Sequence, residues 1–294
     1  MAKKKTVSYS QYAIYKTCPH QWYLQYVKGL AKFEPSIHLV FGTSIHETLQ
    51  LWLKVMYGQS GKAADQMDLA SDFKTRFIEE YRKRVGEFGK HFSSKEELQE
   101  FYEDGKAILE WVRKKRNKYF TLRNVELVGI EIPVLTQANK GITGITYKGS
   151  IDFILYDKDL NKYRIYDIKT STRGWSDRDK KDDKKINQVL LYKKMFSEMN
   201  NVPEDNIDVR FFIVKRKVPE VSEFPITRVQ ELKPAHGKIK INKAYNDFQS
   251  FITECFDMEG NYYSEKAFHK NVGDACKFCP FNNSPELCDK KVLV

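Results

Sequence analysis

No stretch of this chain approaches the roughly 18 uncharged apolar residues that a membrane span requires, so no transmembrane helix is predicted. The N-terminus, Met1 to Lys5, is basic but lacks the apolar run of a signal peptide, which makes the cytoplasm the expected compartment, a host cytoplasm if the gene is viral. There is no Gly-x4-Gly-Lys-Ser/Thr loop, so any helicase activity must come from a partner chain. Internal repeats and low-complexity linkers are also missing, which favours one α/β body with a helical insertion over two tethered domains. Acidic residues are in deficit, 39 against 50 Lys and Arg, and the resulting charge of +11 favours a polyanionic partner without saying which. Cysteine is scarce and odd in number, five in 294 residues, and in a reducing compartment metal or cluster ligation is favoured over a disulfide framework.

What is present reads first as helix. Ser8 or Ser10 is an N-cap candidate for an aromatic-rich segment running to about Val27. Ile45, Leu49, Trp52, Leu53 and Met56 recur at spacings of three and four, predicting a helix from about Gly42 to Met56. Charged helices follow at about Asp65–Val85 and Ser94–Lys118, the latter ending in the basic run Arg113-Lys114-Lys115-Arg116. From about Asn124 the character changes: Val125–Leu135, Gly144–Tyr156 and Tyr163–Thr170 are rich in β-branched and aromatic residues, with turn signals at 139–141 and 157–161, and predict consecutive antiparallel strands. A charged stretch, Thr172–Lys185, leads into a helix at about Ile186–Met199. A strand at Asp208–Lys215, a helix at about Gly237–Met258 and an irregular cysteine-bearing tail complete the chain. The expected division is a helical N-terminal region over 1–123, a core over 124–258 and a C-terminal cap over 259–294.

Three polar residues stand out in the apolar strands. Ile151-Asp152-Phe153 places an acid in one, and Asp167-Ile168-Lys169 an acid and a lysine in the next, where residues two apart share a face. An unpaired buried carboxylate is costly, so these acids either meet a cation or lie at an exposed strand end. A cross-strand ion pair with the lysine is the simpler reading of Asp-x-Lys taken alone.

The order of parts is more specific: an acid-bearing strand, a hairpin, an Asp-x-Lys strand, then a helix carrying Gln188-Val189-Leu190-Leu191-Tyr192. With Gly42-Thr43-Ser44-Ile45-His46 upstream, this order resembles the PD-(D/E)xK nuclease superfamily, and within it the RecB-like branch that includes CRISPR-adaptation exonucleases and the AddB nuclease domain. The resemblance extends from about Ser8 to Cys288. It implies a restriction-endonuclease-like α/β core, with a mixed central sheet flanked by helices, an N-terminal helical region and a cysteine-bearing C-terminal cap. It also implies Asp152, Asp167 and Lys169 as catalytic residues. His46, Asp152, Asp167 and the Ile168 backbone carbonyl become ligands for Mg²⁺ or Mn²⁺, which as hard cations prefer oxygen donors. Glu131, acidic amid apolar neighbours, is either a further ligand or a strand-edge glutamate. Gln188 and Tyr192, four apart on one helix face, would position Lys169 or the nucleic-acid strand.

Cys276 and Cys279 form a Cys-x2-Cys knuckle, with Cys288 after it and Cys18 near the start. Four thiolates hold either a [4Fe-4S] cluster or tetrahedral zinc, and spacing alone does not decide. In iron-sulfur members of the branch one cysteine precedes the core and three follow it, which favours the cluster, although the Cys279–Cys288 gap is longer than the usual family spacing. Cys255 reads as a small buried hydrophobe. The aromatics Tyr9, Tyr12, Tyr15, Trp22, Tyr23 and Tyr26 suit either a core or a stacking platform for bases. The function this implies is a DNA exonuclease acting on single strands or free ends in recombination, repair or replication, with a helicase or recombination protein as a further partner. The competing reading is a non-catalytic nucleic-acid-binding subunit of a recombination or CRISPR-adaptation complex on the same fold, and the intact Asp152, Asp167 and Lys169 argue against it.

Overall fold

Alternating apolar residues from Val125 to Ser171 build a three-stranded meander, β2 (Val125–Asn139), β3 (Ile142–Asp157) and β4 (Lys162–Ser171), joined by short turns. The computed structural model describes residues 5–30, 34–219, 221, 223 and 225–289. Its sheet is mixed and six-stranded. β1 (Lys5–Val7) runs parallel to β3, β5 (Ile207–Lys215) runs parallel to β4, and β6 (Val229–Leu232) runs antiparallel to β5. A parallel β4–β5 pair needs a crossover. The helix Asp183–Asn200 supplies it, capped by the Asp182 carboxylate at its start and by Asn201 in the left-handed region at its end.

Helices cover both faces. On one, α1 (Tyr9–Thr17), the crossover helix and the helix Lys238–Cys255 bury Tyr12, Trp22, Leu191, Phe248 and Phe251 against Ile151, Ile165 and Val209. On the other, the 22-residue helix Ile37–Gly58 packs with Leu69–Phe88 and Lys95–Lys114 over Phe153, Tyr166, Ile168 and Phe212. The long helix is called α3, following α1 and the short α2 (Pro19–Trp22).

Local chemistry accounts for the departures from the predicted elements. The first helix is interrupted at Cys18, which is extended at φ −157° ahead of Pro19, because the residue before a proline is pushed out of the helical region. α3 starts at Ile37, a turn before Gly42, because the Ser36 hydroxyl caps it and Ile37, Val40 and Phe41 are buried. β1 and β6, of three and four residues, are too short to show a periodicity. Tyr9, Tyr12, Tyr15 and Trp22 are buried ring against ring, so the stacking-platform reading is wrong for them: Tyr9 packs on Tyr12, and Tyr12, Tyr15 and Trp22 pack on Phe251, with Phe248 also against Tyr12. The basic run at 113–116 is largely engaged at home, Lys114 with Glu110, Arg116 with Asp65 and Lys115 over Trp111. Cys255 is fully buried, as expected of a small hydrophobe. Among the described residues no helix is long and apolar enough to cross a membrane.

Candidate active site

β3 and β4 pair from Asp157/Lys162 up to Phe153/Tyr166 and no further. Beyond that point the strands part, and β4 continues alone beside β5 through Ser171. Asp152 and Asp167 are the first residues past the fork. The Asp152 carboxylate bridges it, its Oδ2 accepting a hydrogen bond from the Ile168 backbone N–H at 2.5 Å. The pleat of β3 also changes sides here, with Ile151 in one core layer and Phe153, two residues on, in the other. Across the sheet, Glu131 holds the left-handed region at φ 49°, a backbone state that costs a non-glycine residue about 1–2 kcal/mol. The irregular backbone therefore coincides with the acids.

α3 brings the histidine. Gly42 lies so close to β4 that a Cβ there would stand 3.3 Å from the Thr170 hydroxyl, and one turn later His46 Nδ1 is 3.7 Å from Asp152 Oδ2. Burial pulls His46 down to about 4, outweighing the opposing pull of the Asp167 carboxylate, which leaves its imidazole neutral near pH 7. Burial and the Asp167 charge push the Asp152 carboxyl well above its ordinary range, against the Ile168 hydrogen bond and Lys169. Burial would lower the Lys169 ammonium, but Asp167, 2.8 Å away, together with Asp152 holds it above the usual lysine value. Lys169 Nζ also donates to Gln188 Oε1 at 2.9 Å, and Gln188 Nε2 to the Tyr192 hydroxyl at 3.3 Å. Gly149 leaves room for that ring, since a Cβ there would be 3.0 Å from it.

Asp152, Asp167, Lys169, His46, Gln188 and Tyr192 thus meet at one place, and the Ile168 backbone lies between them. Glu131 is exposed, and both its oxygens are held, Oε1 by Gln50 Nε2 at 2.5 Å and Oε2 by the Ser150 hydroxyl at 2.7 Å. Gln50 was not singled out in the sequence. Its position four residues after His46 on an otherwise apolar helix face was the available signal.

Among the described residues no three of His, Cys, Asp and Glu stand close enough together to hold a metal ion as they are. The donor set at the fork nevertheless fits a hard divalent cation: two carboxylates, a neutral imidazole and a main-chain carbonyl. Asp167 Oδ2 is buried and makes no aligned hydrogen bond besides its ion pair with Lys169. A cation would offset the charge crowding that raises Asp152.

At the chain ends, Cys18, Cys276, Cys279 and Cys288 line one cavity together with Lys270 and Asn271. The Asn271 N–H points at Cys18 Sγ and the Gly273 N–H at Cys276 Sγ, each at 3.5 Å. His20 ties the two ends by a backbone bond to His269 at 3.1 Å and a ring contact with the Leu287 carbonyl at 2.9 Å. Burial pushes the Cys279 thiol up; the Phe281 backbone opposes this, and the three other sulfurs add to it.

The profile of the PD-(D/E)XK nuclease superfamily matches residues 6–284, and the chain belongs to that superfamily. Among solved structures, a crystal structure from Eubacterium rectale, provisionally assigned as an exonuclease, covers 94% of this chain and 89% of its own at 12% identity and a TM-score of 0.56. At that identity the likeness is one of fold. No curated protein matches significantly.

Proposed function

We propose that this nuclease is a Mg²⁺- or Mn²⁺-dependent DNA exonuclease of the RecB-like branch that hydrolyses phosphodiester bonds on single strands or free ends. The observation that carries the reading is the fork between β3 and β4, where Asp152, Asp167, Lys169 and His46 converge. His46, Asp152, Asp167 and the Ile168 carbonyl would hold the cation, with Glu131 as a further acid. A cation bound there would lower the pKa of its water and offset charge developing on the phosphate. Lys169, anchored by Gln188, orients the attacking water and places a positive charge beside the phosphate. The segment after β4 carries Arg173 and Arg178 exposed, which suits it to follow a nucleic-acid backbone.

The four cysteines line one cavity and supply the soft thiolates of a centre that would staple the chain ends, although among the described residues no three of them stand at ligating distance as they are. We assign it as [4Fe-4S] rather than zinc on the layout of one cysteine before the core and three after it. The E. rectale neighbour's assignment accords with exonuclease action. With no P-loop in the sequence, unwinding falls to a helicase or recombination partner. The domain division proposed is 1–123, 124–258 and 259–294.

The test is degradation of end-labelled linear single- and double-stranded DNA with Mg²⁺ or Mn²⁺, with closed circles alongside. Linear DNA should be degraded and circles spared, and Asp167→Ala and Lys169→Ala should be inactive. Equal activity in all three proteins rejects the catalytic assignment, and an opened circle rejects the exonuclease one.

A further inference from the structure

Gln50 is a buried amide on α3, one helical turn beyond His46, and its NH₂ group reaches across to the sheet. It donates to Glu131 Oε1 at 2.5 Å and to the Asp152 main-chain carbonyl at 3.2 Å. Ser150 takes the other oxygen of Glu131 at 2.7 Å. Glu131 itself sits at φ 49°, where a side chain is rarely tolerated, directly across β2 and β3 from Asp152 in the register Ile130–Phe153 and Ile132–Ile151. A strained backbone persists only where its surroundings over-determine it. Here the surroundings are a buried amide and a hydroxyl, both aimed at one carboxylate.

A purely structural glutamate would not need this arrangement. A surface strand position can rest in ordinary β geometry with its side chain in water, whereas the left-handed kink redirects Glu131 toward α3 and the face carrying His46. Two hydrogen bonds leave each of its oxygens with lone-pair capacity unspent. The same amide grips the Asp152 backbone, so α3, β2 and β3 are fixed to one another at the point where the acids converge.

We infer that Gln50 is a positioning residue that acts through Glu131: it fixes this third acid and the Asp152 backbone in place for the divalent cation. The inference rests on the metal-dependent reading above. Groups that orient ligands typically contribute about 10- to 100-fold in metal affinity.

The test measures Mn²⁺ binding to the full chain without DNA, by the electron paramagnetic resonance signal of the free ion, alongside cleavage and thermal melting. Q50A and E131A should each weaken Mn²⁺ binding about tenfold and raise the Mn²⁺ concentration for half-maximal cleavage by the same factor, with KM for DNA unchanged. The Q50A/E131A double variant should lose clearly less than the product of the two single effects, since the two act through one hydrogen bond, with the Gln50 contact to the Asp152 carbonyl as the remaining difference from E131A. Q50E, which sets a second carboxylate beside Glu131, should be worse than Q50A. A lowered melting temperature in Q50A with unchanged Mn²⁺ affinity, while D152A loses affinity, overturns the inference and leaves the metal centre standing. Unchanged affinity in D152A as well overturns both.

Discussion

The Asp152 carboxylate accepts the Ile168 N–H at 2.5 Å across the gap where β3 and β4 cease to pair, so a catalytic candidate also closes the fork in the sheet. Charge and scaffold separate in Asp152→Asn. Asparagine Oδ1 can still accept from Ile168, but the anion is gone. The variant should melt within a few degrees of the wild type and lose at least about 10²–10³-fold in kcat, the scale of one charge-stabilising group. Nuclease assays beside circular-dichroism melting decide, and an active, normally stable Asp152→Asn would remove Asp152 from the chemistry.

Lys169, Gln188 and Tyr192 form a chain in which each member orients the one before it. Losing Gln188 leaves the ammonium paired to Asp167 but free to swing. Gln188→Ala should therefore cost about 10-fold in kcat with KM little changed. Tyr192→Phe, which deletes one hydrogen bond of about 0.5–1.5 kcal/mol, should cost about 2- to 10-fold. Steady-state kinetics on a short labelled oligonucleotide gives the split. A change confined to KM would mean that Gln188 touches substrate and does not steer Lys169.

The elements that bring the acids together were legible because their signals are local. Alternation marked β2 to β4, the i, i+3, i+4 pattern marked the body of α3, and Asp-x-Lys placed two side chains on one face. The fork was not legible, since nothing in Ile151-Asp152-Phe153 announces that the pleat changes sides there. The left-handed Glu131 was hidden for the same reason: glycine or asparagine would advertise such a backbone, and a glutamate does not. Gln50 escaped notice because a glutamine on a helix is usually a solvated one, and only the packing of α3 on the sheet buries it. The Tyr and Trp cluster near the N-terminus had two readings, and burial against Phe248 and Phe251, over 220 residues away in sequence, decided for core.

Arg173 and Arg178 lie exposed on the segment that follows β4, and their contribution to a polyanion should be electrostatic. Removing one cationic partner of a phosphate reduces the slope of log affinity against log salt by about 1. The double variant R173A/R178A should thus show a slope shallower by up to about 2 and weaker DNA binding at low salt, with kcat at saturating DNA retained. Fluorescence anisotropy on labelled single strands across a salt series reads this directly, and an unchanged slope would place the backbone path elsewhere.

Cys18 lies more than 250 residues from Cys276, yet both line one cavity, so a centre bound there joins the two ends of the chain. The purified protein, handled without oxygen, should be brown and absorb near ~400 nm. Replacing Cys18 or Cys276 with serine should bleach it and lower the melting temperature. Zinc in place of iron, with the stabilisation kept, would leave the staple but change its metal.

Beside the start of β5, Lys193 is buried with its ammonium 2.9 Å from His236 Nδ1 and 3.2 Å from the His236 carbonyl, while His236 Nε2 faces Asp208 at 3.6 Å. Lys233 completes the cluster on Asp208 at 2.8 Å. With the ammonium donating to Nδ1, the imidazole is neutral and carries its proton on Nε2, toward the carboxylate. Burial and the Lys193 charge pull His236 below its ordinary value of 6.5, against the pull of Asp208. The folded state therefore binds fewer protons than the unfolded one just below pH 6.5. Stability is fully present above that pH and falls as acid forces a second cation beside Lys193. His46 is lowered too and adds a loss of the same sign. Comparison with H236Q, in which glutamine can still accept from Lys193, isolates the cluster. Between about pH 7.5 and about pH 5, the urea midpoint of the wild type should drop further than that of H236Q. Parallel pH profiles for the two proteins would show that His236 keeps its charge state on folding.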